Sequence, residues 1–384
     1  MSPRTIDAAT FSAWLKDGAE LAVLDLRDSD SFGKGAPLYA TNLPAPRLAA
    51  EIDRYVPRPG IRTVLVDADG TVASGIVEQL AASGRTATVA LAGGRAAWLA
   101  SDDIDALPSF DRSGLAFSEE VRAAAATPVI SAAELNRQRE AGADIVVLDS
   151  RTVPEFATGH VPGAIGVPGA ELLLRFADLV PSPQTRVVVS CAGLPRAILG
   201  AQTLIDAGVP NPVAYLDDGT RAWREAGLAL EEGAATLYAP ASETGRRFAE
   251  RQAARFDAEG ILPRIDTATV ASWHADADRT TYLLDVRTPE EYAAGHLPGS
   301  LSAEGGQLLA VSFRTLAVRG ARVVLIDDLS GIRARTTAHW LRRRGFEIAL
   351  HLTDFDVAQR DAAHDGDPRI AGIMSIDLID YKTP

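Results

Sequence analysis

The chain is poor in the residues that staple or ligate. Among 384 residues there is one cysteine, Cys191. A single thiol forms no intramolecular disulfide and no cysteine-rich zinc or iron–sulfur site. The six histidines are scattered, with no i, i+4 pair. No metal and no cofactor are therefore expected. Positive charge is also in the minority: 38 Lys and Arg against 51 Asp and Glu leave a net charge of −13. That balance argues against nucleic acid or an anionic membrane as a partner for the surface as a whole. No apolar run approaches the length of a membrane span. The opening MSPRTIDAATFSAW has no apolar stretch behind a basic one, so the expectation is a cytoplasmic protein. Apolar content of 47% and charged content of 23% are ordinary for a globular chain. The length predicts roughly two to four domains.

What the chain does have is a threefold repeat. Ile6-Asp7 leads to Leu21-Ala22-Val23-Leu24-Asp25-Leu26-Arg27. Ile130-Ser131 leads to Ile145-Val146-Val147-Leu148-Asp149-Ser150-Arg151. Ile265-Asp266 leads to Tyr282-Leu283-Leu284-Asp285-Val286-Arg287. Each copy opens on a helix N-cap residue (Asp7, Ser131, Asp266), runs through one helix, and enters an apolar strand ending in Asp-x-Arg. Strands that are apolar throughout and alternate with helices predict parallel βα units buried on both faces. Copies 1 and 2 also close alike, with Gly93-Gly94-Arg95-Ala96-Ala97-Trp98 and Asp218-Gly219-Thr220-Arg221-Ala222-Trp223. These predict a final strand, a glycine turn and a short helix carrying a Trp. Copy 3 lacks that ending.

Each copy has a second apolar strand followed by a loop and a helix. In copy 2 it is Val187-Val188-Val189-Ser190-Cys191-Ala192-Gly193-Leu194-Pro195-Arg196. A helical pattern follows from Ala197 to Ala207, and Gly208 is placed to stop it. The cysteine thus sits where a strand ends, at the C-terminal edge of a parallel sheet, where such folds place their sites. Loop N–H groups, the helix N-terminus and Arg196 each favour a thiolate, so Cys191 is expected to be a nucleophile of depressed pKa. Asp149 and Arg151 are expected to brace the strand end as a buried pair. His160, His296 and Glu155 are expected to serve the fold.

The repeat and the loop together resemble the rhodanese (sulfurtransferase) family. The residues that carry the resemblance are Asp149-Ser150-Arg151-Thr152-Val153-Pro154-Glu155-Phe156, Gly159-His160-Val161-Pro162-Gly163 and the Cys191 loop. In copy 3 they are Asp285-Val286-Arg287-Thr288-Pro289-Glu290-Glu291-Tyr292 and Gly295-His296-Leu297-Pro298-Gly299. Copy 1 keeps Asp25-Leu26-Arg27 but has Gly35-Ala36-Pro37-Leu38 where the Gly-His motif belongs. The resemblance covers nearly the whole chain. It implies an α/β fold of three tandem domains, each a central, mostly parallel sheet flanked by helices. The expected bounds are 1–110, 128–232 and 263–360, with a linker helix in 233–262 and a tail in 361–384.

The resemblance also implies a reaction: Cys191 takes sulfane sulfur from a small-molecule donor, holds it as a persulfide, and passes it to a thiol or cyanide-like acceptor. Residues Ala192, Gly193, Leu194, Pro195 and Arg196 would hold the anion, with Asp149 and Arg151 in support. Four residues separate Cys191 from Arg196. Related phosphatases on this fold use a loop one residue longer, so sulfur is favoured over phosphate. Ala192 stands where many relatives carry a basic residue, which weakens the case for thiosulfate as donor. It also keeps open a non-enzymatic sulfur relay fed by a partner protein. Ala68 and Asp328 occupy the cysteine's position in copies 1 and 3, so those copies are expected to be inactive.

Overall fold

A computed structural model describes residues 4–33, 40–101, 114–233, 236–258, 262–310, 312 and 315–355. The Gly35–Leu38 departure, part of the first connector and the tail from 361 lie outside these residues. Mostly parallel strands form three sheets flanked by helices, as the buried apolar runs predict.

In the middle sheet the order is Val129–Ile130, Val213–Leu216, Arg186–Ser190, Ile145–Asp149, Ile165–Gly166, all parallel. The strand before Cys191 is therefore central, and Val187, Val188 and Val189 are wholly buried. The third sheet runs Leu301–Ser302, Thr281–Asp285, Arg322–Asp327, Glu347–Leu352. The first runs Thr5–Ile6, Thr88–Leu91, Arg62–Val66, Leu21–Asp25, with Thr41–Asn42 parallel on its edge. The expected N-caps hold: Asp7, Ser131 and Asp266 accept from the amides of Thr10, Glu134 and Thr269. The closing helices Gly94–Leu99 and Gly219–Glu225 are present, with Trp98 and Trp223 buried.

The packing of the three units departs from a string of beads. Val318–Arg319 of the third unit adds antiparallel to Leu21–Ala22 of the first. One hydrophobic core runs through both, joining Leu24, Leu48 and Leu65 to Leu284, Leu316 and Leu325. Tyr282 donates to the Tyr55 carbonyl at 2.5 Å and accepts from Val318 N at 3.0 Å. Glu20 pairs with Arg58 and accepts from both Thr280 N and Oγ1.

The middle unit packs on the third from the other side. Its helix Pro195–Asp206 meets Ile332–Arg343, with Trp340 Nε1 donating to Thr203 Oγ1 at 2.8 Å. The predicted helix after the cysteine is thus buried nearly all round: Leu199, Gln202 and Thr203 are covered as well as Ile198, Ala201 and Leu204. The linker helix, Glu243–Ala258, is more than a solvated tether. Arg246 and Arg247 are exposed, but Ala249, Ala253 and Phe256 are buried. Phe248 stacks on Phe176 of the middle unit, and Asp257 pairs with Arg335 of the third.

Candidate active site

Cys191 follows the central strand directly and is 1% exposed. Its Sγ accepts from Gly193 N at 3.4 Å, and the Ala197 amide also donates to it. The expected ring of amides from 192 to 196 is narrower than that, because Pro195 has no N–H to give. Leu194 and Pro195 turn the chain into the helix, with Leu194 as N-cap and Pro195 at the first helical position. The cysteine's own carbonyl accepts from Thr220 N at 2.9 Å. Gly219 makes that approach sterically feasible: a Cβ there would lie 2.0 Å from Cys191 O, and its φ is +54°.

Arg196 is buried, and it is held elsewhere than on the thiol. Its Nη1 and Nη2 donate to Glu155 at 2.6 and 2.9 Å, and Nη1 also reaches Gln307 Oε1 at 3.2 Å. Glu155 belongs to a capping box with Thr152. Burial opposes its ionisation, but the Arg196 bond and charge outweigh burial and hold the carboxyl at about 2. Glu155 serves the fold through its capping box, as expected, and it also neutralises the arginine that follows the loop.

Burial brings a second correction. Burial pushes the Cys191 thiol up; Arg196 and the two amides pull it down, and the net direction is upward. The depressed pKa expected from the loop is not found. Arg196 is the strongest of the lowering influences, but the loss of water around a wholly buried thiol outweighs it.

Asp149 and Arg151 form the buried pair predicted, at 2.8 Å, and Arg151 Nη2 also donates to Gly159 O. Asp285 and Arg287 repeat both contacts, closing on Gly295 O. These pairs tie the strand end to the Gly-His turn. In those turns His160 Nδ1 lies 3.0 Å from Phe156 O and His296 Nδ1 3.1 Å from Tyr292 O, each ring stacked on its aromatic neighbour.

Three features at the mouth were missed in the sequence. Arg221, paired with Asp218, lies over the loop: a Cβ on Gly193 would be 3.3 Å from its Nη2. It places a cation where Ala192 places none. Its signal was only its position two residues after Gly219. Ser190 Oγ is buried with no hydrogen-bond partner among the described residues. Glu304, from the third unit, is buried and faces Glu171, Glu290 and Glu155, with Arg196 opposing. Burial first, then those carboxylates, push it up to about 8.

The loops without cysteine are filled from within. Asp67 accepts from Gly70, Val72 and Ala73 amides. Asp327 accepts from Ala334 N at 3.0 Å, and Asp328 accepts from Ser330 N while pairing with Arg333 at 2.8 Å. The same loop therefore gathers an anion in each unit. Only in the middle one, where Ser190 replaces the aspartate, are the amides left to a sulfur.

A rhodanese-like domain model matches residues 131–226 and 267–354. The crystal structure of thiosulfate sulfurtransferase from Pseudomonas aeruginosa superposes with a TM-score of 0.86 at 40% identity, over 94% of this chain and 69% of that one. An HTH-type transcriptional regulator of Mycobacterium tuberculosis is 40% identical over 105 residues, 27% of this chain and 45% of the regulator. This chain thus spans less than half of that regulator. With two segments matched by the domain model and a 40%-identical relative of which it covers more than two thirds, this chain belongs to the rhodanese family.

Proposed function

We propose that the protein is a sulfurtransferase built of three tandem rhodanese-like domains, bounded near 1–110, 128–232 and 263–360, with one active centre at Cys191. The Cys191 thiolate attacks the sulfane sulfur of a donor. With thiosulfate, the sulfur–sulfur bond breaks and sulfite leaves with the electron pair. The cysteine is left as a persulfide. A thiolate or cyanide then attacks the outer sulfur, and Cys191 departs as thiolate. No outside oxidant or reductant is needed. The Gly193 and Ala197 amides hold the anion at both stages. Arg221, held by Asp218 beside Gly193, is the cation that the sulfonate of an anionic donor would meet.

The observation that carries this reading is the Gly193 N–H bonded to Cys191 Sγ, in a loop whose counterparts hold carboxylates. The test is steady-state: thiosulfate and cyanide are supplied, and thiocyanate is measured for the wild type and Cys191→Ser. Release by the wild type alone supports the reading. Equal release by both sinks it. A second reading is favoured by Ala192, which sets no cation beside the cysteine for an anionic donor: a centre slow toward free donors and charged instead by a partner protein's persulfide. Fast transfer from such a protein, with none from thiosulfate or 3-mercaptopyruvate, would select it.

A further inference from the structure

Two arginines, one in the middle unit and one in the third, each take one side chain from the opposite unit. Arg196 takes Gln307; Arg333 takes Glu171 at 3.0 Å. The two contributed residues occupy matching places, third in Gly169-Ala170-Glu171-Leu172 and third in Gly305-Gly306-Gln307-Leu308. These segments touch: a Cβ on Gly306 would lie 2.9 Å from Gly169 N. The pair differs chiefly in charge, since Gln and Glu share a shape.

We propose that Gln307 is a positioning residue of the Cys191 site, contributed by the cysteine-less third unit, and that its neutral amide keeps the middle loop able to carry a sulfur anion. Gln307 is 3% exposed. Its Oε1 accepts from Arg196, and its Nε2 donates to Glu155 Oε2 at 2.9 Å. One amide thus clamps both partners of the ion pair and adds no charge. Arg333 shows the alternative. Four carboxylates, Glu171, Glu291, Asp327 and Asp328, bond to it at 2.5–3.0 Å. Counted back from each arginine, Asp327 and Asp328 stand at the places of Ser190 and Cys191, and Glu291 stands at that of Glu155, so the difference that the opposite unit supplies is the charge of Glu171 where the middle site has Gln307.

The middle site has little room for another anion. The charged groups around it are Asp149 at the end of the neighbouring strand (paired with Arg151), Glu155 from the capping-box helix and Arg196 in the first turn of the helix after the loop. Asp218 and Arg221 come from the facing loop, and Glu304 from the third unit. A carboxylate at 307 would take up what remains of the Arg196 charge.

The inference rests on Cys191 being the reactive centre, so its test reads the thiol directly. In the full chain the sole cysteine is alkylated with iodoacetamide between pH 6 and 10, for the wild type, Gln307→Met and Gln307→Glu. Gln307→Met removes both hydrogen bonds without adding charge, and is expected to slow alkylation at pH 7 about threefold. Gln307→Glu is expected to move the pH profile up by about one unit, slowing alkylation at pH 7 about tenfold. The order wild type, Met, Glu supports the proposal. Alkylation of Gln307→Met at the wild-type rate, or of Gln307→Glu no slower than Gln307→Met, overturns it. Should Gln307→Glu not fold, the Gln307→Met rate decides. Persulfide loading is scored separately: a chain that keeps this order yet takes no sulfur refutes the sulfurtransferase reading and leaves the role of Gln307 standing.

Discussion

Cys191 sits in a loop made for an anion, yet its closest cation is already engaged. Alkylation or sulfur uptake should therefore climb steadily as pH rises above neutrality, because burial holds the group as a thiol there. A plateau already reached at pH 6 would contradict this. Glu155→Gln frees the Arg196 charge toward the thiol but leaves a buried guanidinium without its carboxylate. We expect a profile shifted to lower pH together with a stability loss of about 3 kcal/mol, read by chemical denaturation. Glu304 gives the opposite case. Its carboxyl, raised from 4.5 to about 8, binds more protons folded than unfolded between those values, so folded stability falls as pH rises through that window. Glu304→Gln should then gain melting temperature over the wild type at pH 8, and gain little at pH 4. At this scale the sequence was half legible. The cysteine, the arginine and the Asp149–Arg151 pair announce themselves by local spacing. Glu155 lies 41 residues from Arg196 and Gln307 lies 111 away, and nothing in their own neighbourhoods points to it.

The element that makes the site is a strand, a loop and a helix, clasped by the turn Asp217–Gly219. This much was readable, because apolar strands, N-cap residues and Gly208 are local signals. The clasp was not, since it depends on the Cys191 carbonyl meeting Thr220 N in space. Gly219 is where it can be broken. Gly219→Ala would force a methyl into that carbonyl at a positive φ. The expected result is displacement of the Cys191 loop and a fall in sulfur uptake of at least tenfold, with secondary structure retained by circular dichroism. Retained uptake would mean that the loop needs no clasp. The repeat also sets the Cys191 loop beside two loops that have no cysteine. Asp67, Asp327 and Asp328 satisfy the amides from inside, so those loops fold without a ligand.

At the scale of the whole molecule, the third unit is the hub. It shares a core with the first and sets Gln307 and Glu304 beside the middle site. The repeat predicts three tandem domains, but it does not describe the surfaces by which the three sheets and their helices stack. Buried residues such as Leu199 and Tyr282 read equally well as a domain's own core. Tyr282→Phe tests the shared core. It leaves the Tyr55 carbonyl and Val318 N–H without their bonds, at a cost of about 1–3 kcal/mol. Hydrogen exchange should quicken together in Leu21–Asp25 and Thr281–Asp285. Quickening in the third unit alone would show the two to be independent.

The central claim is that Cys191 carries sulfur. The most direct measurement is the intact mass of the reduced protein after incubation with thiosulfate, and separately with 3-mercaptopyruvate, followed by peptide mapping and cyanide. The account predicts one added sulfur, located on Cys191, lost to cyanide as thiocyanate and absent from Cys191→Ser. Folded protein with a reduced thiol that gains no sulfur from either donor, or from a protein persulfide, would contradict it.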